Sequence, residues 1–318
     1  MAEKILLAVD GSLRGFEAVS IVGNLVKDHP DLSVYLFHCV QELSGLLPGE
    51  LCVGMDATCL LKPADQERLG NMIFEEARRR LLAVGFPENR IEFKLKAVSV
   101  DPALDIQTEA ESRKIRTIAL GRRGLSQVKT LLLGSVSNKV AQYAQHHSVL
   151  IVDSPVQESR KVLVPLEGVA DARALTSYLA EFVAPIPRLE YTFFHLMPPV
   201  PPTFWDDGHV LSPAEQRDRQ DRVEKWRSEY RNTVEKFMAE SRSMLLEKGV
   251  PERSVTITIQ SIKEGIARDL LNEIEAKQYQ LVVIGKRSFQ ERKPFLMGSH
   301  ANKVLQTLRG AMLCLVDS

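Results

Sequence analysis

The sequence predicts two tandem α/β domains, each a doubly wound parallel sheet of five strands, and three observations lead to that expectation. The first is that the chain repeats itself. Lys4-Ile5-Leu6-Leu7-Ala8-Val9-Asp10-Gly11 returns as Lys161-Val162-Leu163-Val164-Pro165-Leu166-Glu167-Gly168, and Leu36-Phe37-His38 returns as Phe193-Phe194-His195, both 157 residues on. Further along the offset becomes 164, where Gly85-Phe86-Pro87-Glu88 matches Gly249-Val250-Pro251-Glu252 and Val152-Asp153-Ser154 matches Val316-Asp317-Ser318. Self-similarity on this scale marks a duplicated unit. The second is that short β-rich apolar runs alternate with longer helix-patterned stretches, the order that builds a parallel sheet with crossover helices. The third is length, since 318 residues suit two domains of roughly 100–200 residues each.

The elements follow in chain order. Strands are predicted in the first repeat at Ile5 to Val9, Ser33 to Val40, Ile91 to Val98, Thr117 to Leu120 and Ser148 to Val152. Their partners are Val162 to Leu166, Glu190 to Leu196, Ser254 to Gln260, Leu281 to Ile284 and Met312 to Val316. Continuous apolar strands such as Leu281-Val282-Val283-Ile284 suit a sheet covered by helices on both faces. Helices are expected near 12–28, 64–84, 102–114 and 135–146 and at the matching places of repeat two. The clearest runs from about 213 to 248, where Val223, Trp226, Tyr230, Val234, Phe237 and Met244 recur at three- and four-residue steps and predict a core-facing stripe. Leu43 to Asp65 and Met197 to Leu211 read as irregular loops. The domains are therefore expected at 1–154 and 161–318, joined by a polar, proline-initiated linker at 155–160, with the last strands, Ser148 to Val152 and Met312 to Val316, bringing the repeats together as an intramolecular pseudo-dimer.

Composition narrows the function. Lys and Arg number 41 against 41 Asp and Glu, which argues against a general nucleic-acid binder, because phosphate-backbone affinity rests on clustered cations. Ile5 to Val9 is too short for a signal h-region and no run approaches 18 apolar residues, so a cytoplasmic protein without a membrane segment is expected. The four cysteines, Cys39, Cys52, Cys59 and Cys314, form no CxxC pair and read as free thiols. Cys52 and Cys59 with Asp56 match no common metal-site spacing. His38 and His195 occupy equivalent strand positions and read as structural, with no nucleophile and third partner evident nearby. Asp10 after the first strand could suggest a phosphoacceptor, but Gly11-Ser12 supplies no acidic cluster beside it. Neither GxxxxGK[ST] nor GxGxxG follows that strand, which disfavours motor-type NTPases and nicotinamide dehydrogenases.

One pattern points to chemistry. After the strand Thr117 to Leu120 comes Gly121-Arg122-Arg123-Gly124, then nine residues, then Gly134-Ser135. A glycine directly after a parallel strand lets the backbone turn and a ligand approach closely. Gly134-Ser135 opens a helix whose apolar positions Val136, Val140, Ala141 and Ala144 face inward, so its free N–H groups and positive dipole end form an anion cradle. Residues 112–152 hold seven cations (Arg113, Lys114, Arg116, Arg122, Arg123, Lys129 and Lys139) and no acid, a one-signed field expected to favour phosphate.

Gly121-x2-Gly124-x9-Gly134-Ser135, with an opening strand that ends in Val9-Asp10, resembles the ATP-binding branch of the universal stress protein family, and the resemblance covers both halves of the chain. It implies a Rossmann-like fold of the adenine nucleotide alpha hydrolase type, with ATP, which can bring Mg2+ as its counter-ion, bound in repeat one. Carried onto matching positions, Asp10 and Cys39 border the adenosine, and Gly121, Gly124, Gly134, Ser135, Val136 and Ser137 hold the phosphates. Cys39 stands where an aliphatic residue is usual, and Val100-Asp101-Pro102 where Gly-Asp-Pro is frequent. Repeat two departs further, with Glu167 for the acid and Gly285-Lys286-Arg287-Ser288, nine residues including Pro294, then Gly298-Ser299. Its nucleotide loop is therefore expected to be degenerate, though Gly265 restores a flexible residue after its third strand. The implied role is a stress-response module in which ATP sets conformation or assembly, further homodimerisation included. A slow ATPase and a nucleotide-free scaffold are the competing readings.

Overall fold

A computed structural model describes residues 3–41, 63–122, 133–205, 208, 210–286 and 297–317. Five parallel strands form in the first repeat: β1 (Glu3–Ala8), β2 (Leu32–Gln41), β3 (Ile91–Ser99), β4 (Thr117–Gly121) and β5 (Ser148–Val152). The second repeat supplies β6 (Lys161–Pro165), β7 (Glu190–Met197), β8 (Val255–Ser261), β9 (Leu281–Gly285) and β10 (Met312–Val316). All ten lie in one continuous sheet of order β3-β2-β1-β4-β5-β10-β9-β6-β7-β8. The central seam is the only antiparallel pairing among them and joins β5 to β10. There Leu150 stands opposite Cys314. Those two residues are 164 positions apart, which is the repeat offset itself, so the pseudo-twofold axis passes between them. The last strands thus meet as expected, and they do so by fusing the two sheets edge to edge.

Helices cover both faces. The helices α1 (Leu13–Val26), α2 (Pro63–Ala83), α5 (Val169–Tyr178) and α6 (Pro213–Glu247) pack on one face. On the other lie α3 (Pro102–Ser112), α4 (Ser135–Tyr143), α7 (Ile266–Lys277) and α8 (Ser299–Thr307). Strand alternation feeds the two cores, with Ile5 and Leu7 buried on the first face and Leu6 on the second. β5 and β10 are buried along their whole length, as central strands with both faces covered should be.

The long α6 begins at a capping box, in which the Ser212 side chain accepts from the Glu215 N–H while Glu215 reaches back to the Ser212 N–H. Its buried stripe is Val223, Val234, Phe237, Met238, Ser241 and Leu245. Trp226, Tyr230 and Met244 are only half-buried. The stripe read from the sequence is thus shifted at its C-terminal end, where Met238 and Leu245 take the central positions. Most of Leu43 to Asp65 lies outside the described residues, and within Met197 to Leu211 a 3-10 turn forms at Pro202–Phe204.

Candidate functional site

Strand order reverses between β1 and β4, and in an open α/β sheet the crevice beyond the carboxyl ends at such a reversal is where a ligand fits. Ala8 pairs with Leu120, which sets the turn after Asp10 beside Gly121, the last residue of β4.

Asp10 is held by the start of α1. Its Oδ1 accepts from the Ser12 N–H at 3.0 Å and from the Ser12 hydroxyl at 2.7 Å. Ser12 is also the N-cap of α1, its Oγ accepting from the Gly15 N–H at 2.9 Å. A Cβ on Gly15 would lie 2.4 Å from Asp10 Oδ1, so a side chain there would displace the carboxylate. Gly11 makes the turn at φ +82°, in the left-handed region that favours glycine. Cys39 is half-buried and packs on the same core as Ala8 and Val136. Burial, reinforced by the charge of Asp105, pushes its thiol up to about 12. A thiol held protonated in this way is an apolar wall rather than a nucleophile.

The opposite wall is the first turn of α4. Gly134 is its N-cap and has no side chain to occupy the free N–H groups. The Gly134 N–H donates to the Arg122 carbonyl at 2.8 Å, and the Arg122 N–H donates to the Val152 carbonyl at 2.8 Å. Ser137 is buried and its hydroxyl donates to the Gly121 carbonyl at 2.7 Å, so it fastens the helix start to β4. Asp10, Cys39, Gly121, Gly134, Ser135, Val136 and Ser137 therefore gather at one edge of the sheet. Gly124 lies outside the described residues, as do Arg123 and Lys129.

Among the described residues, four cations of the stretch from 112 to 152 are engaged by acids or carbonyls of the protein. Arg113 bonds Glu109 at 3.1 Å, Lys139 reaches Asp101 at 3.3 Å and Arg116 pairs with Glu181 of the second repeat. Arg122 is 2% exposed and crosses the seam, donating to the Leu305 and Leu308 carbonyls at 2.8 and 2.7 Å and lying 3.4 Å from Asp153. Acids just outside the window, and the other repeat, fold onto these cations. The arrangement is reciprocal. Lys286, the counterpart of Arg122, is 3% exposed and donates to the carbonyls of Ala144 and His147 at the C-terminal end of α4. Each repeat thus caps the last helix of the other with a cation, where the helix dipole favours one. Neither role was evident in the sequence, although the matched cation after each strand-ending glycine was a usable signal. Ser12 and Gly15 were also missed.

His38 and His195 are staples. Each Nδ1 lies 2.7 Å from a carbonyl, that of Val9 and of Leu166, so in each ring Nδ1 carries the hydrogen. Burial holds both imidazoles below their ordinary range. Among the described residues no group of three or more His, Cys, Asp or Glu could hold a metal ion, and no helix is long and apolar enough to cross a membrane. Cys52, Cys59 and Asp56 lie outside the described residues.

Repeat two keeps the backbone frame and alters the side chains. Its Gly298 N–H donates to the Lys286 carbonyl at 2.8 Å and its Lys286 N–H to the Val316 carbonyl at 2.9 Å, as in repeat one. Glu167 replaces Asp10, and its N–H donates to Asp171 at 3.0 Å. Burial, reinforced by the charge of Glu167, raises the Asp171 carboxyl to about 7.

Comparison with known proteins agrees with this architecture. The model of the universal stress protein family matches residues 1–153 and again residues 158–315. Over 145 residues, 45% of this chain and 93% of the relative, the sequence is 27% identical to universal stress protein YxiE of Bacillus subtilis. Over 158 residues, 49% of this chain and 85% of the relative, it is 28% identical to universal stress protein MJ0531 of Methanocaldococcus jannaschii. In fold, the crystal structure of a universal stress protein from Archaeoglobus fulgidus covers 100% of this chain and 99% of its own at 19% identity and a TM-score of 0.63. Two successive matches to one family model, each spanning a five-stranded half of the sheet, establish that the chain belongs to the universal stress protein family as a tandem member.

Proposed function

We propose that the first repeat binds ATP at the carboxyl edge between β1 and β4, and that the nucleotide sets the conformation or assembly of a cytoplasmic stress-response module. The observation that carries this reading is the seat of Gly134. Its N–H is tied to the Arg122 carbonyl, which leaves the first turn of α4 facing the crevice with no side chain at the N-cap. Such a turn favours an anion through its free N–H groups and dipole. The donor set fits ATP. Ala8 and Cys39 offer an apolar wall for adenosine, Asp10 a fixed carboxylate beside it, and Gly121, Gly124, Gly134, Ser135 and Val136 the approach for phosphates. Ser137 holds that approach in place through Gly121. Mg2+ would arrive on the phosphates, since the described residues offer no acid cluster for it. Rapid hydrolysis would need a positioned water and base. The second repeat, 161–318, serves as the structural partner of the first, 1–154, across the linker 155–160.

Calorimetry on the purified chain tests the reading, with ligand extraction and mass analysis to identify what it carries. The expected result is one ATP per chain, slow conversion to ADP, and at least a tenfold loss of affinity in Gly134→Val. Undiminished affinity in that variant would overturn the cradle, and rapid conversion to ADP would favour an enzyme.

A further inference from the structure

The two clefts share one backbone frame at their phosphate end, where both loop-closing bonds recur. They differ at the other end. The counterpart of Ser12 is Val169, which has no hydroxyl to hold an acid, and the counterpart of Gly15 is Ala172. A Cβ at that point of repeat one would stand 2.4 Å from the carboxylate oxygen of Asp10, so the pose Asp10 adopts is closed to an acid in repeat two. The local structure has reorganised accordingly. α5 begins at Val169 with Gly168 as N-cap, one residue earlier than the match to α1 would place it. Asp171, only 4% exposed, turns inward and accepts the Glu167 N–H. The Glu167 carboxylate instead lies 3.8 Å from Nδ1 of His300 on the first turn of α8. His300 is the counterpart of Val136, which packs on the same apolar core as Ala8 and Cys39.

Resting on the reading that repeat one takes the nucleotide, we infer that the second cleft is shut to adenosine by Ala172 and the Glu167–His300 contact, and that Gly15 is the residue that keeps the first cleft open. The exclusion acts at the adenosine end, ahead of the changed loop. Glu167 and His300 come from the two elements between which the base would enter, the end of β6 and the start of α8. Their contact sets an imidazole, in place of Val136, against a carboxylate one methylene longer than that of Asp10.

The test uses the full chain and ATP in calorimetry, with thermal melting alongside. One variant rewrites 167–172 as the first-repeat sequence (Glu167→Asp, Val169→Ser, Ala170→Leu, Asp171→Arg, Ala172→Gly) and adds His300→Val. A rise from one to two ATP per chain is the expected result. A folded variant that stays at one overturns the inference, as does a second ATP gained by Ser288→Gly alone, which would put the block in the loop. Wild type binding two ATP also overturns it, whereas wild type binding none removes the underlying reading of repeat one. The converse variant, Gly15→Ala, keeps a helix-favouring residue and guards against a rewritten chain that fails to fold. It should weaken ATP binding at least tenfold while the chain stays folded in the melt, and unchanged affinity would overturn the role given to Gly15.

Discussion

Replacing Arg122 by leucine should cost the protein its seam rather than a phosphate contact. The guanidinium is 2% exposed, donates two hydrogen bonds to the end of α8 and lies beside Asp153, itself 6% exposed. A hydrogen bond to a charged group contributes about 1.5–3 kcal/mol net, and removing one member of a buried charge pair costs about 3–5 kcal/mol. These contributions overlap, because the same group makes both. The expected loss is therefore about 3–5 kcal/mol, or roughly 6–20 °C in Tm at about 2–4 °C per kcal/mol. Arg122→Lys should recover part of it, since Lys286 makes the mirror-image contact with an ammonium. As a control, Arg113→Ala removes an ion pair whose arginine side chain is 45% exposed, and should change stability by less than about 1 kcal/mol. Thermal and urea melts read all three. A loss below about 1 kcal/mol in Arg122→Leu would refute the reciprocal helix-capping account.

Three further outcomes are expected. Because the folded value of Asp171, about 7, stands above the ordinary carboxylate value of about 4, wild type should lose stability relative to Asp171→Asn as pH rises between those values and stay level above them. The difference is on the order of 2–4 kcal/mol, and parallel stability curves would contradict it. His38 and His195 have the opposite sign, their folded values being held down by burial. Relative to His38→Gln and His195→Gln, wild type should lose stability as pH falls below about 6.5, and denaturant midpoints taken between neutral and acid pH check this. Finally, with both thiols pushed up to about 12, Cys39 and Cys314 should resist a thiol reagent at mildly alkaline pH until the protein unfolds. Prompt labelling of a Cys52→Ser, Cys59→Ser variant would be the contrary result.

Much of the fold was legible because it rests on patterns local to the chain. The internal match fixed the duplication, and continuous apolar strands such as Leu281 to Ile284 announced a covered parallel sheet. The strand end and helix start of the candidate site were legible for the same reason: Gly121 and Gly134-Ser135 flank a strand and a helix whose periodicities are plain. What stayed hidden depends on distant contacts. The charges of Arg113, Arg116, Arg122 and Lys139 looked like a field for phosphate because nothing local says that Glu109, Glu181, Asp153 and Asp101 will fold onto them. Gly15 looked like an ordinary helix residue until the position of Asp10 showed what a methyl group would strike. The shift in the α6 stripe from Met244 to Met238 and Leu245 reflects where that helix crosses the sheet, which periodicity alone does not specify.

The antiparallel seam between β5 and β10 has an evolutionary consequence. Were the same sheet assembled from two identical subunits, every substitution would appear twice, and any change that spoiled one crevice would spoil its mate. Joining the halves in one polypeptide removes that coupling. Arginine can stand on one side of the axis and lysine on the other, and glycine and alanine can occupy matched positions at 15 and 172. The duplicated chain also forms its ten-stranded sheet at any dilution, with the apolar edges of both inner strands permanently covered. Covalent linkage therefore leaves each half free to specialise while the shared sheet keeps them one body.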